Sequence, residues 1–325
     1  MDDTVASKIK DLPPKSSAGT GPARRIRRLV VTADDYGISP LTSRGILRLA
    51  KRGRVTCAVL LVNSPHAEEA VEAWRVADKP MELGWHPCLT LDRPISDSNA
   101  VRSLVNADGR FYTLGDFAKR LATGRIDRGE VFREFEAQYA RYVELTDARP
   151  SLVNGHHHIH TFPVISRALM DVLTQTSARP YMRRVREPFA TVAGIRGAEM
   201  KRLLLSTLGI VSARRLGRLG FPGNHWLAGS AENHSVDDPE FFTRWLARIP
   251  GRDVELMCHP GEYDITLDGR DGTVADGGLA RRGKELRLLE DDSFPEACAR
   301  AGFTLTAPSM LFATPHMRGE DRHAA

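Results

Sequence analysis

Cysteine is sparse: Cys57, Cys88, Cys258 and Cys298 stand singly in 325 residues, and no two form a Cys-x-x-Cys pair. That excludes a disulfide framework and a thiolate metal centre as organising features, and reduced cytosolic thiols are expected. Long hydrophobic runs are also missing. The longest, residues 57–62 and 203–211, are too short or too interrupted to span a bilayer. The amino-terminal segment carries Asp2 and Asp3 without an apolar core, so no secretory leader is expected and a cytoplasmic location is predicted. No glycine-rich phosphate loop follows the first apolar strand, which argues against nucleotide binding. The excess of positive charge is local: of the net +5, residues 1–28 hold +4, so the remainder is nearly neutral. No basic groove is implied, and nucleic acid is not an expected partner.

What is present is a composition of 42% hydrophobic and 27% charged residues, enough to bury a substantial core. Residues 1–25 and 315–325 read as mobile tails rich in proline, glycine, serine and charge, leaving 26–314 as one domain. Within it, short apolar runs alternate with amphipathic stretches. Strands are predicted at 29–33, 57–62, 82–86, 151–155, 181–185, 254–258 and 304–307. Helices are predicted at 39–52, with Ser39 as cap and Pro40 in the first turn, and at 66–78, 129–146 and 164–174. Residues 93–128 are less regular, with 104–111 predicted as a hairpin or loop over a site, and 212–240 is read as a second variable loop region. Alternating strand and helix implies a mainly parallel sheet covered by helices.

The densest chemistry lies in Asn154-Gly-His-His-His-Ile-His160, four of the chain's eleven histidines in seven residues. On an extended segment His156, His158 and His160 would share a face, and His157 would point away as a hydrogen-bonded structural residue. The first strand ends in Asp34-Asp35, two further strands end in His86 and His259, and the histidine run follows another. In a closed barrel such ends converge on one rim. A distorted or incomplete TIM-like (β/α) barrel, with a metal site at its C-terminal rim, is therefore the expected fold. Adjacent carboxylates on a strand end point to different sides, so one of Asp34 and Asp35 can ligate a cation while the other acts as a base.

The motifs Val31-Thr-Ala-Asp-Asp-Tyr-Gly-Ile-Ser39, Arg52-Gly-Arg-Val-Thr56, Leu61-Val-Asn63, Gly84-Trp-His86, residues 103–111, His156-His-His-Ile-His160 with Phe162-Pro163, and Glu255-Leu-Met-Cys-His-Pro-Gly261 occur in this order along residues 28–312. Together they resemble the YdjC-like carbohydrate deacetylases, a family with chitooligosaccharide and hopanoid-associated members. The resemblance implies Asp35, His86 and His156 as metal ligands, Asp34 as general base, and His259 as general acid or substrate-orienting group. It places His158 and His160 beside the ligands or on substrate. Asn154-Gly155 departs from the family's Asp-Ser, keeping the hydrogen-bonding shape and losing the charge. Pro87 after His86 is a second departure.

The implied reaction is hydrolysis of an N-acetyl group from an amino sugar of an oligosaccharide, glycolipid or metabolite. The implied cofactor is one divalent ion, zinc or magnesium first, with manganese, cobalt and iron also compatible with an Asp-His-His set. Trp85, Phe162 and Trp226 are candidates for stacking on the sugar. Arg186 and Glu187, beyond the strand at 181–185, are candidates for substrate contact, as is the Asn224-His225-Trp226 segment. The competing readings are a two-metal phosphoesterase or amidohydrolase-like barrel, and a non-catalytic sugar-binding relative.

Overall fold

A computed structural model describes residues 26–311. The two expected tails, and residues 312–314 of the expected domain, lie outside the described residues. The strands are β1 (Arg27–Tyr36), β2 (Cys57–Leu60), β3 (Glu82–Trp85), β4 (Leu152–Val153), β5 (Tyr181–Met182), β6 (Trp226–Ala228), β7 (Asp253–Cys258) and β8 (Phe303–Leu305). The helices are α1 (Pro40–Lys51), α2 (Ala67–Val76), α3 (Leu114–Ala122), α4 (Arg128–Thr146), α5 (Pro163–Gln175), α6 (Phe189–Gly194), α7 (Glu199–Arg218), α8 (Phe241–Arg248), α9 (Gly278–Glu290) and α10 (Ser293–Arg300).

Every paired strand is parallel, in the order β5-β4-β3-β2-β1-β7-β6. The first half of β1 also pairs with β8, through Arg27 to Leu29. Between β5 and β6 the ladder is replaced by looser contacts. Met182 N–H donates to the Pro222 carbonyl (2.8 Å), and Leu227 N–H to that of Arg186 (3.0 Å). Between them the fully buried Asn224 side chain accepts from Arg184 N–H (2.7 Å) and donates to Arg184 C=O (2.9 Å), taking the place of a strand's backbone. The result is a distorted parallel barrel, as the convergence of strand ends implied. Asn224, a candidate substrate-loop residue, is part of the wall, because its amide presents the same donor and acceptor as a peptide.

Local signals place the elements near the C-terminal rim of the sheet. Ser39 Oγ accepts Thr42 N–H at 3.2 Å, Pro40 opens α1, and Arg48 and Lys51 fall in its last turn. Asp127 caps α4 by accepting Glu130 N–H at 2.9 Å. On α4, buried Gln138 holds both backbone groups of Cys88, so the chain leaving His86 is fixed.

Residues 104–111 form the expected hairpin-like loop, closed by an antiparallel Val105–Phe111 bridge with both side chains buried. Other regions differ from expectation: helix α3 follows that loop, and β6, α6, α8, α9 and α10 form where no element was assigned. The stretch 199–218 is helix α7, so the first part of the expected 212–240 loop is helical. Apolar residues lie all round α7, which hides the one-sided stripe that marks a helix in sequence. Its Gly209 rides directly on residues 183–185, the closing segment that bridges the gap between β5 and β6: a Cβ there would lie 1.6 Å from the Val185 carbonyl oxygen. No helix among the described residues is long and apolar enough to cross a membrane.

Candidate active site

The C-terminal ends of β1, β3, β4 and β7 surround a cavity of about 580 Å³, with Asp34, Asp35, His86, His156, His157 and His259 in its lining. Both carboxylates of the Asp34-Asp35 pair reach it, where alternation along a strand would send one away. The cause is backbone conformation. Asp35 is left-handed (φ 63°), and the β1–β2 register shifts between Ala33 and Tyr36, so the bulge turns the second carboxylate back to the cavity.

Asp35 Oδ1 lies 3.2 Å from His86 Nε2 and 3.0 Å from His156 Nδ1. The three residues are buried and form a candidate metal-binding group. The opposite ring nitrogen of His86 decides its state. His86 Nδ1 faces two acceptors, the Asn154 carbonyl (2.9 Å) and the Asn154 side-chain oxygen, and so carries the proton. Its Nε2 lone pair then points at an anionic oxygen, an arrangement that calls for a proton or a cation between them. One carboxylate and two imidazoles around that point fit a divalent cation. Arg282 holds the other face of Asp35, with 2.7 Å to Oδ2, and also pairs with Asp271. Burial alone would raise the Asp35 carboxyl, but Arg282 and His156 hold it well below the carboxylate range.

Asp34 is gripped differently. Arg183, wholly buried, meets it with two nitrogens at 2.6 and 2.8 Å and donates a third to Glu255 at 2.7 Å. Asn154 Nδ2 donates to Asp34 Oδ1 at 3.1 Å, so one amide spans Asp34 and His86. Burial opposes ionisation of Asp34, yet Arg183 prevails and keeps it ionised far below neutral pH. His259 Nε2 stands 3.9 Å from Asp34, its backbone N–H is bound by Glu285, and burial pushes its imidazole down toward the neutral form.

The histidine run is a turn, with His156–Thr161 forming 3-10 helix broken by left-handed His157 and His158. The expected alternation of faces is therefore absent. His157 shares the side of His156: their rings lie 3.9 Å apart, His157 bonds Thr90 at 2.9 Å, and it lines the cavity mouth. His158 also lines the cavity, whereas His160 turns inward and clamps backbone. Its Nδ1 accepts Gly155 N–H (2.8 Å) and its Nε2 faces Arg183 C=O (3.2 Å), tying the turn to Arg183. Burial, then Arg183, pushes His160 down to about 3.

Since the unfolded value is near 6.5, this group's contribution to stability is full above about pH 6.5 and is lost as the pH falls toward about 3. The expected slope is at most about 1.4 kcal/mol per pH unit. Thermal unfolding of wild type and His160→Gln across about pH 4 to 7 should show a shallower acid dependence in the variant. Identical slopes would mean that His160 is not held neutral by the fold.

Other expected site residues lie away from the cavity. Trp85 is fully buried, edge-on to Phe135 (6.0 Å) and Tyr139 (5.7 Å), and is core. Arg186 stacks on Trp226 at 5.0 Å and donates to the His225 carbonyl, and Glu187 is bound by Arg202 of α7 at 2.6 Å. Both follow the closing segment, whose backbone turns them toward α7 and β6. Phe162 does line the cavity. Sequence reading assigned no role to Arg183, Glu255, Asp271 or Arg282. Arg183 had a signal, since it directly follows β5 just as His86 follows β3; Arg282 had none, being one of several arginines on a charged helix.

The fold is shared with a crystal structure of a putative cellobiose-phosphate cleavage protein from Enterococcus faecalis V583, at TM-score 0.69 and 22% identity, covering 88% of this chain and 99% of that one. A mouse protein named carbohydrate deacetylase is 36% identical over 153 residues, covering 47% of this chain and 49% of its own length. An Enterococcus faecalis protein of the same name is 32% identical over 136 residues, covering 41% and 50%. The chain thus spans about half the length of the curated relatives it matches. The family model described as YdjC-like protein matches residues 28–300, which contain every cavity residue named above, and the chain belongs to that family.

Proposed function

We propose that this chain is a metal-dependent hydrolase that removes the N-acetyl group of an amino sugar carried by an oligosaccharide, a glycolipid or a small metabolite. The observation that carries the reading is the convergence of Asp35, His86 and His156 on one point, with the separately held carboxylate of Asp34 in the same cavity. The relatives named carbohydrate deacetylase support the substrate class. A divalent cation held by Asp35, His86 and His156 would supply Lewis acidity, polarising the acetyl oxygen and lowering the pKa of water.

The chain's own groups account for the proton movements. Asp34, kept ionised by Arg183 and aimed by Asn154, accepts the proton of the attacking water. The water oxygen bonds to the acetyl carbon, the C–N bond breaks, and acetate and the free amine leave. His259, whose Nε2 lies 3.9 Å from Asp34, would orient the departing nitrogen and relay to it the proton that Asp34 accepted. Asn154 keeps the His86 proton on Nδ1, leaving Nε2 free to ligate.

The test is acetate release from a panel of N-acetylated sugars after chelation and add-back of zinc, magnesium, manganese, cobalt and iron. Activity that returns with one of these is expected, and activity that survives chelation sinks the metal role. His86→Ala and His156→Ala should each lower bound metal from one ion per chain toward none by elemental analysis; unchanged occupancy would show that other residues hold the ion. His156, His157 and Asp271 form a second candidate group, which favours the two-metal phosphoesterase reading. It shares His156 with the first, and Arg282 already neutralises Asp35 and Asp271, so one ion per chain is the expected count. Two would favour the phosphoesterase.

A further inference from the structure

Helix α7 carries apolar residues on its outward side as well as against the barrel. The inner face holds Ala213 and Leu216 together with Arg202, Ser206, Gly209 and Ser212, Arg202 being paired to Glu187. The outward stripe carries Met200 (80% exposed), Leu204 (62%) and Val211 (60%), with Leu203 and Ile210 at its flank. Exposed Phe189 opens α6, which packs on the same helix. Spacings of three and four residues put Met200, Leu204, Thr207, Val211, Arg214 and Arg218 on one line, so the apolar stripe ends in cations. Arg214, Arg215 and Arg218 line a groove of about 710 Å³ with Arg167 and Arg128. Only Arg128 of these five has a carboxylate partner among the described residues, Asp171. After Glu199, α7 contains no acidic residue.

We propose that the outward face of α7 docks on an anionic phospholipid bilayer, with the helix lying in the plane of the interface. An apolar stripe continued by unpaired arginines matches an acyl boundary beside phosphate headgroups. A second copy of the chain matches less well. Parallel pairing would oppose the arginine clusters, and antiparallel pairing offers each cluster only Glu199, whose carboxylate already accepts Gly197 N–H. The surface is also well placed: Lys201 and Leu205, on the flank of α7, line the catalytic cavity, so docking would bring the cavity mouth beside the lipid surface. The inference is independent of the reaction assigned to that cavity.

The test is co-sedimentation of the full chain with vesicles of phosphatidylcholine alone and of phosphatidylcholine with roughly one-third phosphatidylglycerol. Binding to the anionic vesicles that weakens with salt is expected. Leu204→Glu/Val211→Glu and Arg214→Ala/Arg215→Ala/Arg218→Ala should each lower it by about tenfold or more. Leu204, Val211, Arg214 and Arg218 are exposed and Arg215 is half-buried, and an unchanged thermal midpoint checks the fold. As an independent readout, the single change Met200→Cys, labelled with a polarity-sensitive dye while the four native cysteines stay buried, should shift to the blue on anionic vesicles. The proposal is overturned by absent vesicle binding, by variants that bind as well as wild type, or by a dye that does not respond. It is equally overturned if the same face only dimerises the chain in solution, or only binds duplex DNA through the arginines.

Discussion

Replacing Arg183 with methionine is expected to cost about 3–5 kcal/mol of folding stability and to remove most activity. The methionine fills much of the space but leaves Asp34 and Glu255 buried together without their common cation. In the wild type, Arg183 lowers the Asp34 carboxyl, while burial keeps Glu255 above its ordinary value despite the same arginine. The sign for Asp34 follows: a carboxylate whose folded value is depressed stabilises the protein above its unfolded value near 3.8 and loses that contribution as the pH falls through the folded one. Without Arg183 the depression disappears, so the acid limb of kcat/KM should move to higher pH as the base becomes protonated. Arg183→Lys keeps a charge but cannot grip two carboxylates through a planar fork, so it should recover stability better than rate. A methionine variant with wild-type unfolding and an unmoved acid limb would show that the arginine is dispensable.

Asp34→Asn should lower acetate release by about 10²- to 10⁴-fold, the usual contribution of a positioned base. The shape is retained, and asparagine can present its side-chain oxygen to Asn154 as Asp34 does. Asp35, His86 and His156 are untouched, so metal uptake should persist, measured by elemental analysis on the same preparation. The pair of readings separates the roles of two adjacent carboxylates. Full activity in the variant would end the assignment of Asp34 as base, and lost metal would make it a ligand.

Much of the architecture was legible because strands and amphipathic helices follow local rules. The Ser39 cap, Pro40 and the apolar runs that became β1, β2 and β7 depend on neighbours in the chain. Site chemistry was legible where it sat on strand ends: Asp34, Asp35, His86, His156 and His259 reach one cavity because parallel strands deliver their C-terminal ends to one rim. The reading failed where backbone departed from regular geometry. Left-handed Asp35, His157 and His158 reversed the faces that alternation predicts. Arg186 and Glu187 follow a closing segment that a strand period could not describe.

By itself, then, the sequence determined seven of the eight strands, helices α1, α2, α4 and α5, the residue types of the cavity floor and the family, since each is written in local pattern or in motif order. Only the tertiary structure decided that Arg183 joins Asp34 to Glu255, that Arg282 joins Asp35 to Asp271, and that α7 leaves an apolar stripe facing solvent. Ion pairs between residues far apart in the chain are set by packing, and an arginine's period along a helix does not say which carboxylate will meet it.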